Sequence, residues 1–277
     1  MTEIEQLRYD GTPFHGVGSI RNGGTVSTGS AAVAARIEKR ASETNQFKAF
    51  LRQYFYLCMG LVMTALIVAG FSRTVDKSLF HASPARPLLL WIHGAAFSTW
   101  MVLFIVQSAL VRSRKISVHR FLGWFGAGLA ALMVVLGLTI NVVMTRFDLG
   151  VLHEKGIDAF MSIPIVDMLV FGTCMALAVY WRKKPEYHRR LVFIATCQLM
   201  DAGIGRFDYI FNHNLFYLGL DLLIVAGMAR DWYVDGRINK VYWYALPVMI
   251  VVQNFAIYAW RANPAWYQAF TRTILAW

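Results

Sequence analysis

The stretch HRFLGWFGAGLAALMVVLGLTINVVMT, residues 119–145, decides the fold class. From Phe121 to Thr145 no side chain carries a charge, and 25 residues of helix suffice to cross a hydrocarbon core of about 30 Å. Six further apolar blocks share this character, at about 52–72, 88–111, 161–181, 190–206, 211–230 and 241–260. The whole chain is 57 % apolar and 16 % charged, against about 45–50 % and about 25 % in soluble domains. The expected fold is therefore all-α, a polytopic transmembrane helix bundle with about seven spans. Blocks this long and unalternating do not suit barrel strands, and only helices satisfy their own amides in lipid. The fifth block is the weakest, because Gln198, Asp201 and two glycines interrupt it. A six-span bundle with that block re-entrant is the alternative.

The domain reading follows from the same profile. Residues 1–50 form a cytoplasmic tail, disordered over 1–30, with a surface helix over 31–50. Residues 51–262 form the transmembrane bundle, and 263–277 a short outer segment. No cleavable signal peptide is expected, the first span serving as insertion signal. Cys58, Cys174 and Cys197 fall inside spans without paired spacing and read as buried apolar residues.

The net charge of +11 points to topology rather than to nucleic acid. Most of the 27 Lys and Arg lie in the N-terminal tail and in the turns over 112–120, 182–190 and 230–240. Cytoplasmic loops are the ones enriched in Lys and Arg, so the N-terminus is placed inside and the C-terminus outside. The expected partners are the lipid bilayer and anionic head groups at the cytoplasmic face. Trp91, Tyr180, Trp181, Trp232, Tyr233, Tyr242, Trp243, Tyr258 and Trp260 mark block ends as interfacial belts do. Gly123, Ala127 and Ala131, with Gly126 and Ala130, give the third span a small face, which predicts a central position in the bundle.

Residues 119–120 open that span with His-Arg, and PEYHRRLVF (185–193) opens the fifth in the same way. The echo suggests two related hairpins, spans two–three and four–five, each with a basic turn ending in His-Arg. As a topological feature it anchors helix ends among head groups.

Ionisable side chains inside a bilayer cost a few kcal/mol each and tend to face the bundle interior. His93, Asp167, Asp201 and Asp221 are the ones found here. Counted at about 1.5 Å per residue, His93 and Asp201 lie about 7 Å, Asp167 about 9 Å and Asp221 about 9–15 Å below the outer ends of their spans. This common level predicts an intramembrane polar site of His93, Asp167, Asp201, Arg206 and Asp221, with Arg206 as counter-charge to Asp201 and with Asp208 and His213 above. His93, Trp100 and Gln107 share one face of span two, and Gln198, Asp201 and Gly205 one face of span five. These stripes predict a polar cavity running inward.

Three chemistries suit such residues. Histidines paired at matched depth can hold haem b between helices. The pairs available are His119 with His188 near the inner face, and His93 with His153 or His213 near the outer face. The inner pair sits at helix mouths, which leaves a bound group partly wet. Buried carboxylates can instead serve a proton-coupled carrier or channel. A metal-dependent enzyme is the third reading, with His93, His119 and His188 as the metal-ligating candidates, though no H-E-x-x-H or H-x-x-x-H is present.

The set W-I-H-G (91–94), Gln107, V-H-R-F-L-G (118–123) and Y-H-R-R-L (187–191) resembles uncharacterised bacterial polytopic membrane proteins with His-Gly and His-Arg-x-x-Gly span motifs. Those are distantly similar to haem-b membrane cytochromes. The resemblance covers about residues 88–206 and implies a membrane redox protein of the bacterial cytoplasmic membrane. His93, His119 and His188 are then the positions the resemblance implies, His213 joins them as a cofactor-binding candidate from the outer-face pairing above, and an electron-transfer partner or a homo-oligomer is expected. A non-catalytic assembly subunit is the remaining expectation.

Overall fold

The structure is a computed structural model that describes residues 28–276. The described residues divide into two compact units, 28–46 and 47–276. The expected disorder over 1–27 lies outside the described residues, whereas Thr28–Ser30 already belong to a helix. All regular structure among the described residues is helical. The long helices are α1 (Thr28–Phe71), α2 (Leu88–Arg112), α3 (Ile116–Gly150), α4 (Ser162–Tyr180), α5 (Pro185–Gln198), α8 (Phe216–Asp235) and α9 (Lys240–Ala262). Two short helices, α6 (Asp201–Ile204) and α7 (Asp208–Asn212), link α5 to α8, and α10 (Ala265–Leu275) ends the chain.

Five helical stretches are long and apolar enough to cross a membrane: Ala35–Phe71, α2, α3, Ile157–Tyr180 and α9. Their outward faces are apolar at mid-helix. Val102, Val135, Leu169 and Val251 are each more than half exposed, which water would penalise and acyl chains do not. The chain is a multi-pass membrane protein.

The fifth and sixth apolar blocks take a different form from the one expected. Block five is not a continuous helix over 190–206. α5 starts at Pro185, which suits a first helical position, and stops at Gln198, giving about 21 Å of helix. Its last six residues, Phe193 to Gln198, are all fully buried. A helix enclosed by protein is freed from the lipid-facing requirement, so it carries polar residues and ends short. Block six begins at Phe216, and α8 carries Asp221, Arg230, Asp231 and Asp235.

α3 is not the centre of the bundle. α4 is the helix packed against α3, α5 and α9 together. The small face of α3 serves its hairpin partner and α4: a Cβ at Gly126 would lie 3.1 Å from Leu103 of α2, and Gly137 lies against Met168 of α4. Small residues mark where helices approach, without saying which helix has most neighbours.

Candidate functional site

α2–α3 and α4–α5 are adjacent hairpins, and their two basic turns build one site. α3 follows the N-cap Lys115 and α5 follows the N-cap Lys184. The backbone N–H of His119 donates to the Lys115 carbonyl and that of His188 to the Lys184 carbonyl, each at 3.0 Å. Both histidines therefore sit at the same register, four residues past a capping lysine. The shared pattern Lys-x-x-x-His-Arg extends the His-Arg echo of the sequence.

The imidazoles are neighbours, ring centroids 6.4 Å apart and ring planes nearly perpendicular at 80°. The Nδ1–H of His188 donates to the Ala178 carbonyl at 2.9 Å. That bond places the ring proton on Nδ1 and leaves the Nε2 lone pair free to ligate.

Both rings line a cavity of about 1020 Å³, at the top of the range of about 300–1,000 Å³ usual for small-molecule sites. Trp100, Leu103, Phe104, Met175 and Val179 supply apolar wall. The lining contains seven basic residues, Arg52, Arg112, Arg114, Arg120, Arg182, Lys183 and Arg189, and neither Asp nor Glu. Five polar atoms of lining residues are buried without a hydrogen-bond partner among the described residues: Tyr56 Oη, Gln107 Oε1, Arg112 Nε, His119 Nδ1 and Arg189 Nε. Buried polar groups are satisfied in the great majority of cases, so these five can bond water or a polar ligand, and the cations beside them suit an anionic group.

Other side chains fix the frame. Gln107 Nε2 donates to the His119 backbone carbonyl at 3.3 Å, and Trp100 Nε1 to Thr196 Oγ1 at 3.3 Å. Arg190, next to the cavity-lining Arg189, turns away and grips Asp231 with two bonds of 2.6 and 2.8 Å. Arg230 adds bonds to Asp231 and Asp235. Asp231 is fully buried, so this network ties the start of α5 to the end of α8. Sequence reading missed it, because Arg190 sits in a basic turn where a lipid-facing role is the default.

The expected five-residue polar site resolves into separate groups. Asp167 and Asp201 are neighbours. Gln198 Nε2 and Tyr217 Oη donate to Asp167 Oδ1 at 2.7 and 3.0 Å. Tyr217 was not singled out in the sequence, although it stands one turn before Asp221 on α8. Asp221 instead accepts from Gln253 Nε2 at 3.2 Å. Arg206 forms no ion pair with Asp201 among the described residues. It donates to Thr74 and to the Ala202 carbonyl and covers the Phe71 ring. The break after Gln198 also removes the expected single face shared by Gln198, Asp201 and Gly205.

His93 stacks on Phe97, ring centroids 4.1 Å apart. It stands on α2 about 21 Å before Gln107, so it does not join His119 and His188 in a three-histidine metal set. His153 and His213 are not its ring partners either: His213 stacks on Tyr209 and bonds its carbonyl. Among the described residues, no three or more His, Cys, Asp or Glu side chains converge as metal ligands. Of the stripe on α2, Trp100 and Gln107 line the cavity and His93 does not. Compared with known proteins, the chain matches no family model, no curated protein and no solved structure.

Proposed function

We propose that the chain is a membrane redox protein that binds haem b between His119 and His188. The observation that carries this reading is the neighbouring imidazole pair in a basic-rimmed cavity. Both rings line one cavity with their centroids 6.4 Å apart, so one bound group can reach both. Two protein ligands suffice for haem, so the lack of a three-ligand cluster does not count against it.

Haem b, when bound, supplies a one-electron couple. His119 and His188 would hold it, the Ala178 carbonyl orienting the second ring. Arg112 and Arg189, whose Nε groups lack partners, would meet its carboxylates as charge-assisted donors. Trp100, Leu103, Phe104 and Met175 exclude water from its apolar face. Pairing at the mouths of α3 and α5 places the edge of the site beside the basic turns, where a soluble electron partner has access.

The same reading takes α5 and α8 as crossings within the protein core, giving seven spans with the N-terminus in the cytoplasm and the basic turns on that side. The test is a visible spectrum of protein purified in detergent after expression with haem supplied. A Soret band is expected in the wild type, lost in His119→Ala and in His188→Ala and retained in His93→Ala and His213→Ala. No band in the wild type, or a band surviving in the His119→Ala/His188→Ala double variant, removes the reading.

A further inference from the structure

We infer that the outward face of α9 binds a second copy of this chain within the membrane, with Asn254 of each copy bonded to Asn254 of the other. From Lys240 to Arg261 the helix rises about 32 Å, which matches a hydrocarbon core of about 30 Å. The two cations therefore mark its surfaces. Asn254 stands about 21 Å from the first and about 10 Å from the second, inside the core, and its side chain is exposed.

A carboxamide turned toward acyl chains is costly unless it is bonded. Gln253, its neighbour in sequence, is buried and donates to Asp221 at 3.2 Å. Asn254 points the other way. Its one hydrogen bond among the described residues runs from Nδ2 to the Ile250 carbonyl of its own helix, at 2.7 Å. A carboxamide has two N–H donors and an oxygen with two lone pairs, so one donor and the acceptor remain unused.

The residues around it form a seam. Tyr244, Pro247, Val251, Asn254 and Tyr258 recur at intervals of three, four, three and four, and all five are exposed. That alternation has the mean period of 3.5 at which paired helices mesh their side chains. Pro247, Val248, Val251 and Val252 line a groove of about 240 Å³ on the same face. The groove and the amide are separate features, and one helix lying along the seam covers both.

The chemistry of the amide says which helix that is. Copies of one chain insert with the same orientation, so a two-fold axis along the membrane normal relates them and their α9 helices run parallel. A seam residue then meets itself. Asparagine is its own complement, each N–H donating to the oxygen of the other, whereas a lysine or an aspartate there would repel its copy. A single polar residue in a seam fixes register and pairing, and Asn side chains bond across helices in bilayers. Arg261, the cation at the outer end, is held by Asn214 Oδ1 through bonds of 2.6 and 3.2 Å.

This interface is independent of the haem reading, and its test needs no haem. On oxidation of native membranes with copper phenanthroline, Val251→Cys is expected to give a covalent dimer of twice the chain mass. Leu169→Cys, on α4 and also more than half exposed, is expected to give none, as is the wild type with its three cysteines. Energy transfer between labelled copies in detergent reads the affinity. Asn254→Leu is expected to raise the dimer dissociation constant about 3–30-fold, and Asn254→Gln, which keeps donor and acceptor, to raise it less. Thermal unfolding of monomeric Asn254→Leu is expected to match wild type, because Asn254 bonds only its own helix; weakened pairing is thereby separated from misfolding. Cross-linking at 251 no stronger than at 169, or an unchanged dissociation constant in Asn254→Leu, overturns the inference. A cross-linked product of any other mass overturns it in favour of a different membrane protein on this face. The Soret test bears on none of these outcomes, and its failure leaves them standing.

Discussion

His188, Arg189 and Arg190 are consecutive, and each does a different thing: one faces the cavity centre, one lines it with a cation, one holds a buried aspartate. Helical rotation of about 100° per residue separates them. The Arg190–Asp231 bond is two-pronged and enclosed, so removal of one partner strands a charge. Arg190→Ala is expected to destabilise the fold by about 3–5 kcal/mol, and the Arg190→Leu/Asp231→Leu pair by clearly less. Thermal unfolding in detergent reads the difference; equal losses in the two variants contradict it. Ala178 acts on His188 through its carbonyl, which a side-chain substitution does not remove. His188→Asn keeps that hydrogen bond while losing the ligating nitrogen, so the expected outcome is normal folding without the Soret band.

At the scale of the element, glycines set where α1 and α6 touch. Gly70 meets the backbone carbonyl of Gly203, and a Cβ at Gly203 would lie 3.0 Å from the Ile67 Cα. Backbone cannot yield as a side chain can. Gly203→Ala is expected to lower the unfolding temperature in detergent, whereas Gly94→Ala, with open space around its Cβ position, is expected to leave it unchanged. Matching losses in both would show that helix propensity, not contact, governs these sites. The same contact explains the break after Gln198: a continuous helix would carry Asp201 and Gly203 away from α4 and α1. Interruption of block five thus creates the α1 contact.

For the whole molecule, the basic turns and the outward apolar residues make the prediction. With the N-terminus inside, an alkaline phosphatase fused after Trp277 is expected to be active, and cysteines placed at Ser113 or Lys183 to be blocked only by reagents that enter the cell. The opposite pattern would reverse the proposed orientation. Leu169→Arg puts a charge on a lipid-facing mid-helix position and is expected to cost about 2.5–3.5 kcal/mol of insertion, visible as reduced membrane yield. Arg at exposed Ala202 is expected to leave the yield unchanged.

Hydropathy and basic-turn placement are local properties that add along a chain, so helix class, membrane residence and most helix positions were readable from the linear pattern. His119 and His188 could also be matched there, because each follows its basic turn in the same register. What no linear pattern contained was rotation and reach. Depth counting put His93, Asp167, Asp201 and Asp221 on one level, yet His93 stacks on Phe97, Asp167 bonds Gln198 and Tyr217, and Asp221 bonds Gln253, since depth fixes one coordinate and packing fixes the other two. Which arginine lines the cavity, which helix lies at the centre and where α5 ends depend on contacts between residues far apart in sequence. Those contacts are decided by how side chains of α1, α4, α5 and α8 fit together, and that fit exists only in the folded bundle.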